Sequence, residues 1–425
     1  MSDDENMDPY REIVETLLKT LRRYGEVELH DITLEIEKLE MLFSSAMGSL
    51  AVPRQQAKAV SIQPQVIAGQ QGPSLTPTAK MVSKPELVKV AFNHPKMNWT
   101  GRIAEVRLGA TKGDGGTRDR SYIIGGETAP PFYLSESPEK AMPHPPVFAL
   151  DVFDMRISLP RAIRNAYGDV LDDPAEWARM AVEKYGADMI TLHMVSTDPS
   201  VADATPREAA KKVEDILQAV KVPICVGGSG NPEKDVEVFS KVAEVAAGER
   251  ILVNSINIDM DLPKVLEPIK KYGHVVIDFS PMDLDKARQI NRKVYDYLSK
   301  DMIVLDMNCA GIGYGLDYGY TANERARLAA LRGDEELQHP LNAGVSNSWA
   351  AREAWMKMDP FWGTRETRGP VWEALTGLAI LLAGADYFMT ISPTTPAILR
   401  QYVNNILSGK RKEGAVADWV SAKLR

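Results

Sequence analysis

Asp, Asn, Ser and His recur just after short apolar runs along this chain. The groups are Asp154, His193, Gly227–Ser229, Asn254 and Ser255, Asp278 and Ser280, Asp306 and Asn308, Gly344, Ser346 and Asn347, and Thr390 and Ser392. Together they offer neutral hydrogen-bonding groups and a few carboxylates. A phosphosugar site brings a Lys or Arg to such positions, a Schiff-base aldolase brings a Lys, and a metal hydrolase brings two or three clustered His. None of these appears there, and His193 alone reads as readily as a structural residue as a catalytic one. The chemistry expected is hydrogen bonding to an uncharged polar ligand.

One stretch stands apart, "DMNCAGIGYGLDYGY" at 306–320, with four glycines, three tyrosines and one of the two cysteines, Cys309. Its GxGxG lacks the GxGxxG spacing of a dinucleotide loop. Cys309 has no His or Cys nearby in sequence to complete a metal set. Glycines let a backbone approach a flat ligand closely, and tyrosines offer broad, weakly polar faces. Gly311, Gly313 and Tyr314 are therefore candidates for contact with an extended planar cofactor, against the alternative of a long structural connection. "GGSGNPEKD" (227–235) places Asn231 as an N-cap and Pro232 as the first helical residue. That loop could hold an anion or be a tight turn only.

Elements of two kinds must position these residues. From 148 the apolar strands "FALDVFD", "DMITLHM", "PICVGGS", "ILVNSI", "HVVIDFS", "MIVLDMN", "LNAGVSN" and "YFMTIS" alternate with helical patterns such as "PREAAKKVEDILQAV". Eight strand–helix units in about 260 residues match a (β/α)8 barrel, whose active sites lie at the C-terminal strand ends. An open doubly wound sheet is the alternative. The fold class expected is α/β, a (β/α)8 TIM barrel over 148–410. It is preceded by a short β-rich segment at 85–147 with strands in "LVKVAFN", "RIAEVRLG" and "RSYIIGG", and followed by a tail at 411–425. The apolar run "ALTGLAILLAGA" (374–385) has the length of a buried helix rather than the roughly 20 residues of a membrane span.

The rest of the chain differs in composition. The net charge is −8, and residues 1–50 hold 12 Asp/Glu against 5 Lys/Arg, which accounts for most of it. An apolar face at Tyr10, Ile13, Val14, Leu17 and Leu21 reads as a helical docking module, against the alternative of a solubilising appendage. Residues 51–84, with six Gln, four Pro and no aromatic residue, cannot bury a core and read as its flexible tether. The acidic start is no secretory or transit signal. Two cysteines, Cys225 and Cys309, point to a reducing cytoplasm and are too few for an iron–sulfur cluster on this chain alone. No basic stripe with interleaved aromatics suggests nucleic acid.

"LGATKGDGGTRDRSYIIGGETAPPFY" (108–133), "PPVFALDVFD" and "DMNCAGIGYGLDYGYTANERARLAAL" resemble the delta subunit of the archaeal acetyl-CoA decarbonylase/synthase complex. That subunit is the counterpart of the small subunit of the bacterial corrinoid iron–sulfur protein, and the resemblance spans roughly residues 85–410. It implies a heterodimer with a gamma subunit that supplies an iron–sulfur cluster and holds most of a corrinoid, within a larger complex. The pair carries a methyl group between a tetrahydropterin and the nickel centre that forms acetyl-CoA. This chain would then organise and cap, with no catalytic or metal-ligating residue of its own. The absence of a DxHxxG cobalamin motif agrees. Asp278 and Asn308, then Asn254, become the candidates for a pterin or corrinoid contact, with Gly344, Ser346 and Asn347 beside them. The alternative is an autonomous pterin-dependent corrinoid methyltransferase.

Overall fold

The computed structural model describes residues 97–134 and 136–408. The expected N-terminal module, its tether, the strand at 87–93 and the tail at 411–425 lie outside the described residues.

Two of the lead-in strands are present, β1 (Val106–Leu108) and β2 (Tyr122–Ile124), paired antiparallel with Val106 opposite Ile124. The eight apolar runs all form strands: β3 (Val147–Phe153), β4 (Met189–His193), β5 (Ile224–Gly227), β6 (Leu252–Ile256), β7 (Val275–Phe279), β8 (Ile303–Asp306), β9 (Asn342–Gly344) and β10 (Tyr387–Thr390). They pair in parallel in the order β8-β7-β6-β5-β4-β3-β10-β9. A parallel bridge between Leu305 and Leu341 joins the two end strands, and Leu305 N–H donates to Pro340 O at 2.8 Å. The order runs once around without reversing, so the sheet is a closed barrel and the open-sheet alternative falls.

The helices are α1 (Pro138–Ala141), α2 (Arg161–Tyr167), α3 (Pro174–Glu183), α4 (Pro206–Ala219) and α5 (Pro232–Val245). After them come α6 (Leu262–Tyr272), α7 (Leu284–Val294), α8 (Leu316–Leu331), α9 (Arg365–Ala383) and α10 (Thr395–Leu407). Five consecutive helices, α3 to α7, start on a side chain that accepts from the first turn: Asp173, Thr205, Asn231, Asp261 and Asp283. Pro174, Pro206 and Pro232 follow the first three, at the position where a missing N–H costs nothing. These caps fix where each loop ends and therefore how far each strand-end residue can reach.

Strand side chains alternate between two faces. Val147, Ala149, Met189, Cys225, Leu252, Val275, Ile277, Val304 and Tyr387 share one cluster with Val106, Leu108 and Ile124 of the hairpin. The hairpin thus plugs the N-terminal end of the barrel. Phe148, Leu150, Val152, Ile190, Leu192, Val253 and Leu305 face the other way, onto the helices.

Two differences from the sequence reading matter for function. The glycine–tyrosine stretch is a loop only through Gly315, whose φ of +94° precedes α8, so Leu316–Tyr320 are helical. The run at 374–385 lies mostly in the longer α9, and that helix is not buried all round: Val371, Leu375 and Leu382 are 42–49% exposed.

Candidate functional site

At the C-terminal end of the barrel the strand tips enclose a cavity of about 150 Å³. Asn254, Asn308, Gly344, Ser346 and Asn347 line it, with His193, Phe279, Asp306, Asn257 and Met389. His193 is the one basic side chain among the lining residues.

Asp306 has the parity of Val304, which faces the barrel interior, so its carboxyl turns inward at the tip of β8. Its Oδ1 accepts from Asn308 N–H at 2.7 Å and Oδ2 from Asn342 Nδ2 at 2.6 Å. Burial pushes its pKa up to about 6, against the pull of those two hydrogen bonds. Asn308 sits beside it at φ +74°, a left-handed conformation that Asn tolerates better than most residues. Asn323 Nδ2 on α8 holds its carbonyl at 3.0 Å.

His193 ends β4. Its ring stacks on Phe153 at 5.1 Å between centroids, and its Nε2 lies 3.3 Å from Asp151 Oδ1. The contact is not an aligned hydrogen bond, and both Asp151 oxygens lack a protein partner. Gly227 makes room here, since a Cβ on it would stand 3.0 Å from His193 Nδ1. The floor of the mouth therefore carries a buried carboxylate and an imidazole whose hydrogen-bonding capacity is unspent.

Asp278 lies elsewhere. It shares parity with Val276 on the helix-facing side of β7, is 0% exposed and does not line the cavity. Ser280 Oγ donates to it at 3.1 Å, and burial holds its carboxyl well above the usual range. Asp154 is turned onto the neighbouring loop after β4, accepting from the Ser196 backbone and hydroxyl. Thr390 Oγ1 donates to Ala149 O.

The chain fills its own anion-like positions. In "GGSGNPEKD" the Asp235 carboxylate accepts from Ser229 N–H, Ser229 Oγ and Gly230 N–H, all within 2.9 Å. A Cβ on Gly228 would meet Asp235 at 2.4 Å, so the glycine serves that internal contact. After β10, Glu373 from α9 accepts from Ile391 N–H, Ser392 N–H and Thr395 Oγ1 in the same way.

The glycine loop is pinned rather than free. Asn347 Nδ2 donates to Cys309 O at 3.0 Å, and Trp372 Nε1 donates to Ile312 O at 2.6 Å. Gly311 packs so closely on Ser348 that a Cβ would stand 2.4 Å from its Cα. Gly313 and half-exposed Tyr314 turn away from the mouth, Gly313 into a second cavity of about 740 Å³ between the loop and α9. Cys309 is buried. Of the nine candidate residues the structure gathers five at the mouth, sets Asp278 behind the wall, buries Gly311 against Ser348, and carries Gly313 and Tyr314 to the outer side of the loop. Asp306 and His193 were among the strand ends, and only the inward parity of Val304 and Met189 could have singled them out.

Fold and site together define a (β/α)8-barrel protein with an amide-rich, base-poor mouth. Comparison with known proteins gives this class a family. Residues 105–362 match the model of the CO dehydrogenase/acetyl-CoA synthase delta subunit. The acetyl-CoA decarbonylase/synthase complex subunit delta of Archaeoglobus fulgidus is 47% identical over 84% of this chain and 80% of its own. That of Methanopyrus kandleri is 42% identical over 96% of this chain and 97% of its own. Among solved structures, dihydropteroate synthase from Thermus thermophilus aligns with a TM-score of 0.43 at 15% identity, over 71% of this chain and 99% of that one. The chain belongs to the family of delta subunits of the acetyl-CoA decarbonylase/synthase complex.

Proposed function

We propose that this chain pairs with the gamma subunit of its complex to form a corrinoid iron–sulfur component, and that its barrel mouth covers one face of the corrinoid. A corrinoid bound there would supply a cobalt atom able to carry a methyl group between a tetrahydropterin and the nickel centre. The observation that carries this reading is the shape and lining of the mouth. A cavity of about 150 Å³ is smaller than the roughly 300–1,000 Å³ that engulfs a whole drug-sized ligand. A large ring can only lie across it.

The lining fits such a ring. A corrinoid carries amide side chains around its rim, and Asn254, Asn308, Ser346 and Asn347 offer matched donors and acceptors. The orphaned Asp151 oxygens, His193 Nε2 and Asn342 Oδ1 supply further capacity beneath. A cap also excludes water, which protects a strongly nucleophilic reduced metal. Both cysteines of the chain are buried and unpaired, in keeping with a reducing cytoplasm as the working compartment.

A second reading has its own support. Asp306 poised near neutrality beside Asn254 and Asn308 suits the donor-rich edge of a pterin ring, as in an autonomous pterin-dependent methyltransferase. Purified chain mixed with methyl-tetrahydropterin and cob(I)alamin separates the two. No methyl–cobalt absorbance is expected until the gamma subunit is added, together with a 1:1 heterodimer by light scattering. Turnover by the chain alone would replace the subunit reading with the enzyme reading.

A further inference from the structure

The outer face of α9 carries a chemistry that a solvated barrel helix does not. From Val371 to Leu382 every position that reaches the surface is apolar: Val371, Trp372, Leu375, Leu378, Ala379 and Leu382. The one charged residue in that span, Glu373, is buried and fully engaged with the loop after β10. The inner face, with Ala374, Gly377, Ile380 and Leu381, packs into the barrel. A helix that is apolar on all sides belongs in an interior.

The face extends beyond the helix. Trp372 lies 6.4 Å from Trp362, which is half exposed. On the other side Ile312, Leu316 and Tyr318 line, with Ala379, the cavity between the loop and α9. Tyr318 is 67% exposed. With aromatic side chains burying roughly 150–250 Å² each, the uncovered parts of this patch amount to several hundred Å². That approaches the ~800 Å² per partner of a stable interface and exceeds what a monomer usually leaves open.

We infer that the α8–α9 face is the docking surface for the corrinoid iron–sulfur partner, which meets it with an uncharged, apolar helical surface. The inference rests on the pairing proposed above and gives it a location. Two features choose this occupant over the chain's own first 50 residues. The N-terminal residues carry 12 acidic side chains against 5 basic, and exposed Asp317, the one charged residue lining the cavity beside α9, would repel such an arm however apolar one side of it is. The loop Cys309–Gly315 borders both places: Asn347 at the mouth holds Cys309, and Trp372 on α9 holds Ile312. A partner seated on α9 therefore reaches the rim of the mouth it must share.

Full-length chain carrying Leu375→Arg or Leu382→Glu tests this, with Leu375→Met as the conservative control. Both charged side chains would project into solvent in the free chain, so thermal melting of the isolated variants should match wild type. Binding to the purified corrinoid iron–sulfur subunit should weaken at least 100-fold in the charged variants and hold in Leu375→Met. Hydroxyl-radical labelling of Trp362, Tyr318 and Leu375 should fall on pairing. Charged variants that pair as tightly as wild type would overturn the location while leaving the pairing intact. Wild-type chain that does not pair would remove the functional reading and the docking surface with it. Labelling already low in the isolated chain would overturn the proposal too. It would assign the face to a second copy if light scattering shows a dimer, and to residues 1–50 if deleting them restores labelling.

Discussion

Asp278 and Asp306 end neighbouring strands of nearly identical composition, yet one residue of parity sends them to opposite sides of the barrel wall. Asp278 faces the helices, where burial holds its carboxyl well above the usual range. Asp306 faces the mouth, where burial raises it and the Asn308 N–H and Asn342 amide pull it back, leaving it at about 6. A titration of carboxyl-labelled aspartate by carbon NMR should therefore show Asp306 with a midpoint near pH 6. Asn342→Leu removes a hydrogen bond that favours the ionised form, so the midpoint should move higher. A wild-type midpoint near 4, or a downward move in the variant, would contradict the burial and bonding described here. The neutral, base-poor character of the mouth was legible in the sequence, because strand ends can be recognised from apolar runs. Which carboxylate enters was not, since Asp278 and Asp306 each follow an unbroken apolar run, and only the faces taken by Val276 and Val304 tell them apart. The occupant of the glycine loop was equally hidden: nothing in "GGSGNPEKD" announces that Asp235 folds back to fill it.

At the scale of elements, the strands were legible because parallel strands buried on both faces read as continuous apolar runs. The helix starts were legible where Asp, Thr or Asn precede Pro. The start of α8 was not, because Gly315 and the tyrosines around it look like loop. The role of α9 was also hidden: its apolar run predicts burial, and only the structure leaves half of it open. This helix also reaches across to pin the loop after β10 through Glu373, whose carboxyl burial raises to about 7. The folded chain thus keeps that proton up to about pH 7, while the unfolded chain releases it near the ordinary 4.5. Its contribution to stability is full below about 4.5 and is lost as pH rises through 7. The scale is roughly 3 kcal/mol for a shift of this size, taken as an upper bound. Glu373→Gln cannot titrate, so chemical denaturation from pH 5 to 8 should show wild type's advantage over the variant shrinking. A constant difference across that range would mean that Glu373 does not hold the proton.

In the whole molecule the two ends of the barrel do different work. The mouth leaves hydrogen-bonding capacity unspent on Asp151, His193 and Asn342, while the base pairs its charges with one another. Arg118 joins Glu249 at 2.7 Å and caps the Leu217 and Val220 carbonyls. Arg327 on α8 reaches both Glu127 of the lead-in at 2.9 Å and Asp386 before β10. It ties the hairpin plug to the last strand and hence to barrel closure. Glu127 is held well above the usual carboxylate range, first by burial and then by the Asp386 charge beside it, so the arginine is what keeps two buried acids tolerable. Removing one partner of such a cluster leaves uncompensated buried charge and costs about 3–5 kcal/mol, whereas the intact cluster contributes far less than that. Arg327→Met should accordingly lower the denaturation free energy by that amount, and adding Glu127→Gln should restore part of it by removing one of the two buried acids left without the arginine. Neither residue lines the mouth or the cavity beside α9, so affinity for the proposed partner should stay at the wild-type value in whatever fraction remains folded. A loss below about 1 kcal/mol, or a double variant no more stable than the single, would mean that the hairpin is held by apolar packing alone.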